Sequence, residues 1–142
     1  MNQPQAACNY AVLRFLPYPE TGEFVNVGVV VNCLQPCLFD FRVEPQMTGR
    51  MKALFPDQNE QAFAAGAAAM HQEMMRVKAM IRDPKTCQLA FNEAVRPRES
   101  TFRFGETRTL LTTDPQRQAE DLFRQYVRME ARPQNKAQRA LA

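Results

Sequence analysis

The chain holds one histidine, His71, and any acid–base or nucleophilic site built on imidazole would have to use it. Its neighbours Gln72 and Glu73 form no recognised catalytic grouping with it. Four cysteines, Cys8, Cys33, Cys37 and Cys87, raise metal ligation next. Tetrahedral zinc is usually held by close pairs such as C-x2-C with a second pair elsewhere. Cys33 and Cys37 are instead separated by three residues that include Pro36, and no second pair follows. Asp40 and Glu44 could present two carboxylates from one polar strand face to a hydrolytic metal, although solvated charges make the same pattern. The five glycines are scattered and build no G-x-x-x-x-G-K phosphate loop. The inventory assigns no catalytic residue, no metal ligand and no cofactor.

Binding chemistry is better represented. Asn26 and Gly28 lie in a strongly β-branched stretch behind Glu23, where a lone amide and a missing side chain stand out. They could hold a ligand or a partner's backbone; equally, Asn26 could tie down a loop and Gly28 admit a packed neighbour. Met75 and Met80 fall off the apolar stripe of their helix and would form a soft contact surface if exposed. Arg117, Arg124, Arg128 and Arg132 follow one side of the last helix and, with Lys136 and Arg139, could track a phosphate backbone. The plainer reading of that stripe is a solvated surface beside Glu120, Asp121 and Glu130.

These residues must be positioned by an α+β arrangement. Residues 8–16 alternate as a strand, and Pro17 through Gly22 turn the chain. Residues 23–33 make a second strand, in which Glu23, Val25, Val27, Val29 and Val31 share one face. After Gln35-Pro36, Phe39, Phe41 and Val43 alternate with Asp40, Arg42 and Glu44 in a third, giving an antiparallel meander. A short helix is expected over 46–54. Asp57 and Glu60 resemble a capping box for a long helix reaching Arg82, with Phe63, Ala67, Met70, Met74, Val77 and Ile81 on its buried stripe. Asp83-Pro84 should stop it. Residues 85–99 give no clear pattern. Phe102 and Phe104 alternate around Arg103, and residues 107–113 read as a further strand. Asp114-Pro115 then starts a helix running to about Glu130, with Ala119, Leu122, Phe123, Tyr126 and Met129 inward. The expected architecture is an antiparallel sheet, the meander plus C-terminal strands, packed on one face by the helices at 58–82 and 115–130.

Composition agrees with one domain. The chain has 142 residues, of which 45% are hydrophobic and 23% charged. Its net charge of +3 has a location: residues 131–142 hold Arg132, Lys136 and Arg139 and no acid. Taking those three from the 18 basic residues leaves 15, matched by 15 acidic ones, so residues 1–130 are neutral. A neutral body argues against a general nucleic-acid binder. Residues 131–142 are expected to be a disordered basic tail. The polar opening, residues 1–7, lacks the apolar run of a secretory signal, and no stretch nears the ~20 apolar residues of a membrane helix. A cytoplasmic protein with reduced thiols is expected, with Cys8 and Cys87 filling the core.

The run Tyr10-Ala11-Val12-Leu13-Arg14-Phe15, followed by Glu23-Phe24-Val25-Asn26-Val27-Gly28-Val29-Val30, resembles the opening of a bacterial family known only as domain-of-unknown-function family 3037. The likeness continues more weakly through the Asp114-Pro115 helix to Val127. The resemblance implies a single domain of about this length and transfers no catalytic residue. Because some members lie beside HipA-like kinases, it also implies a regulatory role with another bacterial protein as partner. The expectation from sequence is thus a non-catalytic interaction or regulatory protein, with nucleic-acid association through the arginine stripe as the alternative.

Overall fold

The computed structural model describes residues 4–130; the expected basic tail, including Arg132, lies outside them. Strand β1 spans Ala6–Phe15, β2 Val25–Leu34 and β3 Cys37–Val43, each antiparallel to the next as the alternation implies. Two later strands, β4 (Phe102–Phe104) and β5 (Arg108–Thr112), both pair with the free side of β1, β4 near its C-terminal end and β5 near its N-terminal end. The sheet therefore runs β3-β2-β1 with β4 and β5 beyond, and β1 sits at its centre.

The valines of β2 do not all face the same way. Leu13 pairs with Gly28 and Arg14 with Asn26, so Val27 is an extra residue opposite β1. This bulge reverses the alternation. Val25 and Val27 join one core with Ala11, Leu13 and Phe15, whereas Val29 and Val31 join a second core with Tyr10 and Val12. The expectation of one shared valine face is corrected by that single insertion.

Helices cover both faces. Helix α1 (Gly49–Leu54) is capped by the Thr48 hydroxyl, and α2 (Glu60–Lys78) by Asn59, whose side chain accepts from the Ala62 amide; Asn59 takes the role expected of Asp57. The stripe Phe63, Ala67, Met70, Met74 and Val77 is buried, as its spacing requires. The segment without a clear pattern contains α3 (Pro84–Ala94). Asp83 caps it through the Thr86 amide, with the Thr86 hydroxyl returning to the Asp83 backbone amide, and Pro84 occupies the first turn. Helix α2 stops at Lys78, short of the expected Arg82, so Asp83-Pro84 begins α3 but does not end α2. These three helices share a core with one sheet face.

Helix α4 (Gln118–Tyr126) follows a 3-10 turn at Pro115–Arg117 and packs on the opposite face through Ala119, Leu122 and Phe123. The class and the antiparallel sheet agree with the sequence. The placement of both main helices on one face does not, because β2 is buried on both sides of the sheet and each side needs its own cover. Helix α4 also stops early: Met129, expected inward, is 66% exposed at φ 58°.

Candidate functional site

Two of the sequence-predicted residues, Asn26 and Arg128, meet where α4 ends, and Gly28 lies nearby in β2. The Asn26 amide donates to the Tyr126 carbonyl at 3.2 Å, satisfying one of the acceptors a helix C-terminus leaves open. Gly28 lies under β3: a Cβ there would stand 2.6 Å from the Arg42 carbonyl oxygen, so the two backbones approach as only glycine permits. Beyond the helix, Arg128 turns back and holds Glu44 through two bonds, Nε–Oε2 at 2.9 Å and Nη2–Oε1 at 3.0 Å. The Glu44 side chain is only 6% exposed, while Arg128 remains half exposed. Arg50 of α1 adds a bond to the Val127 carbonyl at 3.1 Å. The Asn26 amide, Arg50 and the Arg128–Glu44 pair therefore fasten the segment after α4 to the sheet and α1, while Gly28 lets β2 and β3 approach.

A cleft of about 330 Å³ opens beside this junction, lined by Arg42, Glu44, Glu120, Phe123, Arg124, Arg128 and Glu130. Its cations are matched by carboxylates. Arg124 pairs with Glu130, Arg42 with Asp40 and Glu120, and Arg117, farther up, with Asp121. Arg117, Arg124 and Arg128 are each partnered within the chain and do not form a run of free cations. Removing the Arg128 side chain would strand a buried carboxylate. Arg128→Ala is expected to lower stability by about 2 kcal/mol, below the ~3–5 kcal/mol of a fully buried pair because Arg128 is half wet, as read by urea denaturation. Glu44→Gln in the same background should recover part of that loss.

The residues considered for metal or nucleophilic chemistry are dispersed. His71 packs its ring against Phe41, with centroids 5.1 Å apart. Cys8 and Cys33, opposite each other on β1 and β2, form a disulfide within the α4-side core. This corrects the expectation of four reduced thiols and of Cys8 as a simple core filler. Cys87 is a buried free thiol and does fill the core. Its sulfur donates toward the Leu38 and Cys33 carbonyls at 3.4 and 3.5 Å, and burial pushes its pKa up to about 11. Cys37 is free and exposed, lining a cleft of about 520 Å³ with Asp40 and Lys78. Among the described residues no group of three His, Cys, Asp or Glu side chains could hold a metal ion.

Met75 and Met80 are about half exposed, at 50% and 49%, and Arg76 reaches the Met80 sulfur. Strand β5 was not singled out by its residues. Among the described residues it pairs only with β1, and its Leu111 is 64% exposed. The sequence signal for an edge, a short strand after a Gly with no following strand, was present but carried no face information.

The fold and this junction define a small α+β protein whose central sheet is covered by helices on both faces. Residues 10–127 match the family described as protein of unknown function (DUF3037), and the chain belongs to that family. No curated protein and no solved structure matches it. No helix among the described residues is long and apolar enough to cross a membrane.

Proposed function

We propose that this chain is a non-catalytic interaction module that receives an extended segment of another protein along β5. The observation that supports this is the unpaired outer edge of β5. Its inner edge is bonded to β1 from Ala6 to Tyr10, and no strand among the described residues lies beyond it. An open edge offers alternating amide and carbonyl groups to an incoming strand, with side chains such as Leu111 setting specificity. The partner is another bacterial protein, and the family resemblance makes a HipA-like kinase the first to try. They would meet in the cytoplasm, a compartment in which a structural disulfide such as Cys8–Cys33 is uncommon; both of its cysteines are 1% exposed.

Photo-crosslinking in the native host tests the reading. A photoreactive residue at Leu111 should trap one protein species, and Leu111→Lys with Thr109→Pro should abolish co-purification of that species. Trapping at Met75 or Arg117 with none at Leu111 would move the contact to the helices and discard the edge. Trapped nucleic acid at Arg117 that is released steeply by salt would favour the phosphate-tracking alternative.

A further inference from the structure

Cys37 and Cys87 stand outside the Cys8–Cys33 disulfide and come together on one side of the sheet. Cys37 opens β3 and shares the side of Phe39 and Phe41, which is turned toward α2 and α3. Cys87 belongs to α3 and is buried in that same core. Its sulfur lies 3.4 Å from the carbonyl oxygen of Leu38, the residue next to Cys37. The Cys37 side chain is itself a hydrogen-bonding neighbour of Cys87. The two thiols differ in access. Cys37 is exposed in the cleft of about 520 Å³ that Lys78, Ile81 and Gln116 also line, whereas Cys87 is 0% exposed.

The surroundings of Cys87 suit a sulfur that takes on charge. Asn32 is fully buried and turns its Nδ2 toward that sulfur at 3.9 Å, a donor for a forming thiolate. Its Oδ1 has no hydrogen-bond partner among the described residues. An amide so placed is costly in an apolar core, and the neighbouring thiol gives it a use. Burial, then the hydrogen bond and charge of Cys37, keep the proton on Cys87, so its thiolate is scarce at neutral pH. An exposed thiol that meets a reagent first, backed by a buried thiol in contact with it, is the order of groups that a two-step thiol–disulfide exchange uses.

We propose that Cys37 and Cys87 form a redox-responsive pair, in which a small disulfide entering the cleft thiolates Cys37 and Cys87 then resolves the adduct into a Cys37–Cys87 bond. In the first step the deprotonated Cys37 sulfur attacks one sulfur of the small disulfide, whose S–S bond breaks and releases one thiolate. In the second, Cys87 gives up its proton and attacks Cys37 Sγ, which breaks the mixed disulfide and releases the other thiolate. The protein loses two protons and two electrons, and the small disulfide leaves as two thiols. The Cys8–Cys33 bond takes no part, and the pair does not depend on the edge of β5.

The test treats the full, unreduced chain with glutathione disulfide and follows intact protein and mapped peptides by mass spectrometry. A single glutathionyl adduct on Cys37 is expected first. It should give way to a species that has lost two hydrogens and carries a Cys37–Cys87 bond. Conversion of the adduct should quicken about tenfold per pH unit between about pH 7 and 9, because it follows the scarce Cys87 thiolate. Cys37→Ser, at an exposed position, should yield neither species, and Cys87→Ala should stop at the adduct. If Cys87→Ala does not fold, the fate and pH dependence of the adduct in the unaltered chain still decide the question. A lasting adduct in the unaltered chain, modification that begins at Cys87, or bridges mapped to Cys8 or Cys33 would overturn the pair.

Discussion

Gly28→Ala is expected to lower stability by about 3 kcal/mol, at the top of the range for overpacking. The added methyl would lie 2.6 Å from the Arg42 carbonyl oxygen and 3.3 Å from the Val43 Cα. Both are backbone atoms of β3, so no rotamer change can move them aside. Relief requires β2 and β3 to separate, which would disturb the β3 residues that carry Asp40, Arg42 and the approach to Glu44. Gly49→Ala is the control, because a Cβ there meets nothing within 4 Å. It should change stability by less than ~0.5 kcal/mol. Chemical denaturation of the two variants reads the difference, and equal stabilities would show that the β2–β3 approach is looser than described.

Loss of the Cys8–Cys33 disulfide is expected to cost a similar amount. The bond closes a loop with a sequence separation of 25, for which chain entropy predicts about 3.5 kcal/mol. Thiol counting on unfolded, unreduced protein should find Cys37 and Cys87 alone. Reduction should then shift the denaturation midpoint downward, and Cys8→Ala with Cys33→Ala should match the reduced protein. Four reactive thiols before reduction would show that the two cysteines merely face each other.

Much of the fold was written in local pattern. The alternation of β1 and β3 and the stripe of α2 from Phe63 to Val77 came through, because each is a repeat that one face of one element imposes on its own residues; the helix expected from Asp114-Pro115 instead opens as a 3-10 turn in which the Asp114 side chain makes no capping bond, and α4 begins at Gln118. What failed had a shared cause. The bulge at Val27 is a register event between β1 and β2, and a strand read by itself carries no register. Helix α3 was hidden because Pro84 is both a stop and a favoured first residue, and only the Asp83–Thr86 capping box separates the two meanings. The opposite-face placement of α4 followed from β2 being apolar on both sides, a feature visible in the run Val29-Val30-Val31.

The candidate residues divide the same way. Asn26 and Gly28 stood out in sequence because an amide and a glycine are misfits in a β-branched strand, and both turn out to make close structural contacts. Arg14 entered the sequence reading only as part of the family-like run; that its guanidinium stacks on Phe24 and lies beside Gly105 depends on residues 10 and 91 positions later.

By itself the sequence determined the strands, the helices other than α3, the α+β class and the positions of the polar intruders, because hydrophobic period, caps and turn residues act within a few residues of one another. Which residues touch was decided only by the tertiary structure: the cysteine pairing, the Arg128–Glu44 clasp and the two-sided helix cover. Each depends on strand register and layer order, which are set by contacts between segments distant along the chain and leave no periodic trace in either segment alone.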